Sequence, residues 1–362
     1  MNILIVTGHP AQIHNFRTLK SELERNDHLV YWLATNKDIS NYLLNYYGIQ
    51  YVLLKRPGRT LFSKVVCLIE NTLTTIKYIK KNKIDLAVSR ISPHVSIACY
   101  LLGINHFGLT DTESAGLYDQ FFSRFLTVLF TGKSFKKQLR QDQIRFDGNI
   151  EMFYLYPGRF KPLQFDKVAE LLNVGPREPY VIMRFVSWNA YHDDGLSGFT
   201  EANKVKAAQT FSEYSRVFIT SECELQPELE SYRLRIPPEM MHDVMAYATL
   251  FFGESATMAS ESAVLGTPAI FLDKLGRGYT DEEQQYGLVF NYKNTLDDQE
   301  ASINKGLEVL TDPQNKSTIE ANHRLFLQDK IDVTGFMLWF IENFPESFRI
   351  MKENPDYQYN FK

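Results

Sequence analysis

Apolar positions in this chain fall into two alternating periods. NILIVTG, residues 2–8, is an unbroken apolar run of strand length, and FRTLKSELERNDH, residues 16–28, spaces its apolar side chains near the helical repeat. The alternation continues through HLVYWLATN, DISNYLLNYYGI and QYVLLK, then IDLAVSR, SPHVSIACYLLG and INHFGLTD. Strands that are apolar throughout, not at every second position, are covered on both faces, as in parallel sheets crossed over by helices. The pattern predicts a doubly wound α/β domain over residues 1–160.

The texture changes at YPGRFKPLQFDKVAELLNVGPREP, where proline and glycine punctuate one short helical stretch, and a linker is expected over 161–178. A second cycle then runs through YVIMRFVS, EANKVKAAQTFSEYS, RVFITS, MHDVMAYA, TLFFGES, ASESAVLG and PAIFLD, predicting a second Rossmann-like domain over 179–332. The remainder, 333–362, is an aromatic-rich helical pattern expected to pack back across the domains. No short-period repeat interrupts the chain.

Length agrees with two domains, since 362 residues exceed one ordinary core. A net charge of −4 argues against nucleic acid as a partner. The cysteines, Cys67, Cys99 and Cys223, are scattered, which fits a reducing compartment and neither a disulfide framework nor a zinc site. MNILIVTGHP is a first strand and not a signal peptide, and no window reaches the roughly 18 apolar residues of a spanning helix, so a cytoplasmic protein is expected. Residues 56–83 mix apolar positions with a basic end. That segment is an ordinary amphipathic surface helix or a peripheral contact with the inner face of a membrane.

The chemistry concentrates where strands end. GESATMASESAVLGTPAIF, residues 253–271, is a run of small residues between a strand and a helix. At such a junction backbone N–H groups and the positive helix end face outward, and small side chains at Ser255, Ala256 and Thr257 let a phosphate or diphosphate approach. Glu261, on the helix, is suited to accept from both ribose hydroxyls; the alternative is a small-residue helix packed on its sheet, with Glu261 on a solvated face. In RFVSWNAYHDDG, Arg184 is placed to offset diphosphate charge and Trp188 to stack on a base or sugar, beside His192 and Asp193. No second ligand group has matching spacing, so no metal is expected. His242 is expected on a helix surface.

At this level of detail GESATMASESAVLGTP resembles the DSGGxQEEAxxLGxP segment of UDP-N-acetylglucosamine 2-epimerases and the equivalent turn of glycosyltransferases with the B-type fold. IDLAVSRISP, GLTDTESAG, YVIMRFVSWNAYHD and GESATMASESAVLGTPAI resemble domain-of-unknown-function family 354, a glycosyltransferase-like group, over nearly the whole chain. The resemblance implies two Rossmann-like domains facing a cleft. It places Ser255, Ala256 and Thr257 on the nucleotide phosphates and Glu261 on the ribose, with Ala256 and Thr257 standing where the family has paired glycines. It also implies that Ile236 lies near the base and that Arg277, Gly278, Tyr279 and Thr280 form a loop holding sugar and diphosphate. GHPAQIHNFR resembles the GGTGGHxxP loop of the transferase that builds the peptidoglycan disaccharide, which puts His14 forward as general base, with His9 a lesser candidate in the cleft. Asp111 and Glu113, in DTESAG, are the alternative acids.

These readings converge on a metal-independent glycosyltransferase moving a sugar from a nucleotide-sugar, UDP-linked, to a glycan or lipid-linked acceptor. A UDP-sugar 2-epimerase is the first alternative, against which GHPAQIHNFR lacks the GTRPE pattern; a non-catalytic nucleotide-sugar-binding protein is the second.

Overall fold

A computed structural model describes residues 1–36, 38–58, 60–113, 116–176, 178–186, 198–221 and 224–362, and it carries the parallel alternation through both halves of the chain. The chain forms two units, Met1–Arg159 with Ile331–Lys362, and Phe160–Lys330.

The first unit holds seven strands: β1 (Asn2–Thr7), β2 (Leu29–Thr35), β3 (Val52–Leu54), β4 (Leu86–Arg90), β5 (Asn105–Thr110), β6 (Val128–Gly132) and β7 (Ile144–Phe146). Their order is β3-β2-β1-β4-β5-β6-β7, with every pair parallel. The apolar run of β1 is buried throughout Ile3, Leu4 and Ile5, as a central strand covered on both faces must be. The order reverses between β1 and β4, which makes their carboxyl ends the switch point where open sheets bind ligands. The strands β6 and β7 are not singled out by the hydrophobic pattern: the VLF of β6 runs on from the apolar residues of FFSRFL before it, and β7, IRF, has only two apolar residues.

The carboxyl-terminal segment is part of this first unit. Phe340, on helix Val333–Glu342, packs its ring 5.6 Å from Phe107 of β5 and 4.8 Å from Phe130 of β6. Asp332 caps that helix by accepting from Gly335 N at 3.1 Å and also pairs with Arg159.

The second unit holds β8 (Tyr180–Phe185), β9 (Arg216–Ser221), β10 (Leu250–Gly253), β11 (Ala269–Leu272) and β12 (Val289–Tyr292), in the order β12-β11-β10-β8-β9, all parallel. Its switch point lies between β8 and β10. Phe252 of β10 stacks on Phe199 at 4.9 Å and meets Phe211 edge-on at 5.1 Å. Much of the expected linker is structured within this unit. Helix Phe165–Leu172 forms there, Leu163 N donates to Asp243 Oδ1 at 2.7 Å, and the Tyr247 hydroxyl donates to Leu163 O at 2.6 Å.

Candidate functional site

The small-residue run after β10 does two jobs. Ser255 is the N-cap of helix Ala256–Leu265, its Oγ accepting from Met258 N at 3.4 Å, and Ser255, Ala256 and Thr257 stand half-buried at the carboxyl end of the strand. Further on, Ala259, Ser260, Ser262 and Ala263 are wholly buried. There the small side chains let the helix lie close on the sheet, so the tight-packing alternative holds for the body of the helix and the anion-facing reading is confined to its first turn.

Glu254, between strand and cap, is buried, and its carboxylate accepts from Val186 N at 2.9 Å and Phe199 N at 2.6 Å. It thereby fastens backbone on both sides of the segment 187–197. Its role is not legible in the sequence, because its backbone partners lie 68 and 55 residues away along the chain. Glu254→Gln keeps one acceptor oxygen and turns the other into a donor facing an N–H. The expected result is a loss of about 2 kcal/mol in urea denaturation.

Glu261 is not on a solvated face. It is buried and accepts from, or pairs with, His242 Nε2 at 2.9 Å. His242, on helix Met241–Met245, is correspondingly buried and not on the surface, with Phe160 edge-on at 6.2 Å. A buried carboxylate needs such a partner. Ser260 Oγ donates to a second buried carboxylate, Glu283, at 2.5 Å.

After β11 the expected loop is instead the start of a helix, Gly278–Gln285, with Arg277 as its N-cap residue. Thr280 is wholly buried, its hydroxyl donating to Arg277 O at 3.1 Å, and Tyr279 is nearly so. Their side chains are turned into the fold. Arg277 lies 3.6 Å from Asp273 Oδ2. Asp273, and Asp281 in the first turn, offset the positive end of this helix. Arg184, on the adjacent β8 in register with Gly253, donates from Nη1 to Thr220 Oγ1 at 2.8 Å. Ile236 is half-buried just before the 3-10 helix Pro238–Met240. Trp188, His192 and Asp193 lie outside the described residues.

In the first unit the expected amino-terminal loop shrinks to Gly8 and His9, because helix Pro10–Arg25 begins at once. His9 is its exposed N-cap, Nδ1 accepting from Ala11 N at 3.3 Å. His14 is within the helix and 7% exposed, between the rings of Tyr47 at 5.9 Å and Tyr154 at 5.7 Å. It is thus enclosed by aromatic rings and set back from the strand end. Asp111 is paired: Arg90 contacts both carboxylate oxygens and Thr112 Oγ1 donates to Oδ1 at 2.9 Å. Glu113 is half-buried beyond β5, and its backbone carbonyl accepts from Lys137 Nζ at 2.7 Å. A cavity of about 310 Å³ lined by Arg17, Lys20, Glu22, Arg25, Tyr47 and Arg159, among others, is a feature the sequence did not announce. Among the described residues no group of three His, Cys, Asp or Glu is arranged to hold a metal ion.

Comparison with known proteins places this geometry in a known architecture. The UDP-GlcNAc 2-epimerase of Methanocaldococcus jannaschii is similar with a TM-score of 0.63 at 14% identity, covering 90% of this chain and 99% of that one. The Neisseria meningitidis UDP-GlcNAc 2-epimerase, solved bound to UDP-GlcNAc, gives 0.58 at 12%, covering 91% and 99%. A glycosyltransferase of Rickettsia africae gives 0.59 at 13%, covering 98% and 99%. The two-unit fold is that of B-type glycosyltransferases and these epimerases. No protein-family profile and no curated protein matches the chain, so the resemblance to domain-of-unknown-function family 354 finds no counterpart there.

Proposed function

We propose that this protein is a metal-independent glycosyltransferase whose second unit binds a UDP-linked sugar and whose first unit receives a glycan or lipid-linked acceptor. The observation that carries the reading is that helices opened by Ser255 and by Arg277 follow neighbouring strands, with Arg184 near the end of the strand alongside. Such a surface suits a diphosphate, and the similar structures include one bound to UDP-GlcNAc.

In the proposed reaction an acceptor hydroxyl attacks the anomeric carbon, the bond from that carbon to the diphosphate oxygen breaks, and the hydroxyl proton passes to a base. Glu113 takes that role in our reading, since Asp111 is engaged by Arg90 and His14 is enclosed. The charge left on the diphosphate is balanced by Arg277, Arg184 and the amides from Ser255 to Thr257, while Glu261, steadied by His242, takes the ribose.

The epimerase reading is kept alive by the fold neighbours that carry that activity. One experiment separates them. UDP at about a hundred times its dissociation constant is expected to raise Tm by several degrees. Arg277→Ala should lose most of that shift. Proton NMR of UDP-GlcNAc with the protein and no acceptor is then expected to show unchanged sugar; appearance of the 2-epimer would replace the transferase by the epimerase. No Tm response to any nucleotide would overturn both in favour of a protein without a nucleotide site.

A further inference from the structure

Helix Leu61–Asn82 of the first unit is inside out. Its buried positions are mostly polar, with Asn71, Thr72 and Thr75 turned inward beside Cys67 and Ile79. Those polar groups are satisfied locally. Asn71 accepts from Lys55 N at 3.0 Å and donates to Lys55 O at 2.9 Å, while the hydroxyls of Thr72 and Thr75 return to the carbonyls of Leu68 and Asn71 at 2.7 Å.

The outward face is apolar instead. Leu61 is 79% exposed, Phe62 80%, Ile69 55% and Leu73 52%, with Val65 and Val66 filling the row. Positions 62, 65, 66, 69 and 73 share one side of a helix, a stripe roughly 16 Å long at about 1.5 Å per residue. A contiguous exposed row of this kind marks a surface that something covers.

Charge indicates what covers it. Lys55 and Arg56 precede the stripe, Lys77, Lys80, Lys81 and Lys83 close it, and the only acid from 55 to 83 is Glu70, paired with Lys55 at 2.7 Å. This basic segment sits in a chain of net charge −4. A second copy docked on the same face would set cation against cation in either orientation, because both ends are basic. An anionic bilayer complements both parts, apolar row and basic ends.

We propose that this helix lies in the headgroup region of an anionic membrane, with Phe62, Ile69 and Leu73 at the acyl boundary and the lysines at lipid phosphates. No helix among the described residues is long and apolar enough to cross a membrane, so the contact is peripheral. Leu61 and Phe62 start the helix that follows β3, on the carboxyl edge of the sheet that also carries His9 and Asp111, which brings a membrane-borne acceptor to that edge. The surface itself stands independently of the sugar chemistry.

The test is co-sedimentation of the full chain with vesicles of mixed phosphatidylcholine and phosphatidylglycerol, against vesicles of phosphatidylcholine alone. Binding is expected to the mixed vesicles, much less to the neutral ones, and to weaken several-fold in high salt. Phe62→Ser with Ile69→Ser should lower partitioning at least about tenfold with Tm unchanged, since both side chains face solvent. Lys80→Gln with Lys81→Gln should weaken binding to the anionic vesicles while keeping Tm. Equal binding by wild type and the Phe62/Ile69 variant would overturn the assignment. So would no binding of the wild type to the anionic vesicles, and a dimer in light scattering that the same variant makes monomeric would then name a second copy as the occupant. Because UDP binding is read separately by Tm, failure here leaves the transferase reading standing, and the reverse also holds.

Discussion

Gly253→Ala is expected to lower the stability of the second unit by about 3 kcal/mol or more, or to prevent its folding. A Cβ at this position would sit 2.3 Å from Arg184 O, 2.9 Å from Arg184 N and 3.1 Å from Arg184 C. All three are backbone atoms of the neighbouring strand, held by the β8–β10 register, so no side chain can swing aside to make room. Relief would require parting the two central strands and with them Phe252, which is fully buried between Phe199 and Phe211. Gly175→Ala is the control, because its nearest atom is the flexible Glu178 carboxylate at 3.4 Å. Urea denaturation followed by circular dichroism decides the matter. A Gly253→Ala protein within 1 kcal/mol of wild type would mean that the strands part more easily than the register implies.

Acidification from pH 7 to pH 5 is expected to take about 4 kcal/mol from the first unit through two histidines, roughly 2 kcal/mol each. Burial holds His94 down to about 4, and burial followed by the nearby His94 holds His106 down to about 3. The ordinary value for both is near 6.5. A histidine kept neutral by the fold stabilises it fully above the unfolded value. As pH falls below about 6.5 the unfolded chain takes up protons that the folded chain refuses, and the stabilisation drains away towards pH 4 and below. The geometry around His106 agrees. Ser89 Oγ donates to Arg90 O at 2.6 Å, so it receives at 2.9 Å from His106 Nε2, which places a proton on Nε2, while the buried Nδ1 has no acceptor to receive a second one. Asp119, raised by burial, acts in the opposite direction but nearer the carboxylate range, below most of this window. The check is Tm against pH for wild type and His106→Gln, measured between pH 7 and 5. The variant should be less stable at pH 7 and show a shallower decline; parallel curves would remove His106 as a cause.

How much of this was legible in the sequence depends on the range over which each feature is encoded. Continuous apolar runs such as LIV in β1 and FF in β10 announced buried parallel strands, and Gly103 and Gly266 marked where helices end, both adopting positive φ. The strands β6 and β7 escaped because one merges with the aromatic run before it and the other has only two apolar residues. The family resemblance implied a loop at Arg277 to Thr280, yet a helix begins at Gly278 and turns Tyr279 and Thr280 inward. His14 and Asp111 were flagged by residue type and place in the chain. Their surroundings, Tyr47 and Tyr154 around one and Arg90 against the other, come from segments that only folding brings near.

Hydrophobic period and strand-end turns, both local properties, therefore determined from the sequence alone that this is a tandem of parallel α/β units with its small-residue turn after β10. Tertiary structure decided what each charged group does. Glu254 bridges two backbone amides, Glu261 is locked to His242, Asp111 is taken up by Arg90, and helix Leu61–Asn82 turns its apolar side outward. The reason is that a carboxylate's chemistry is set by the partners within about 4 Å of it, and those partners lie up to scores of residues away along the chain.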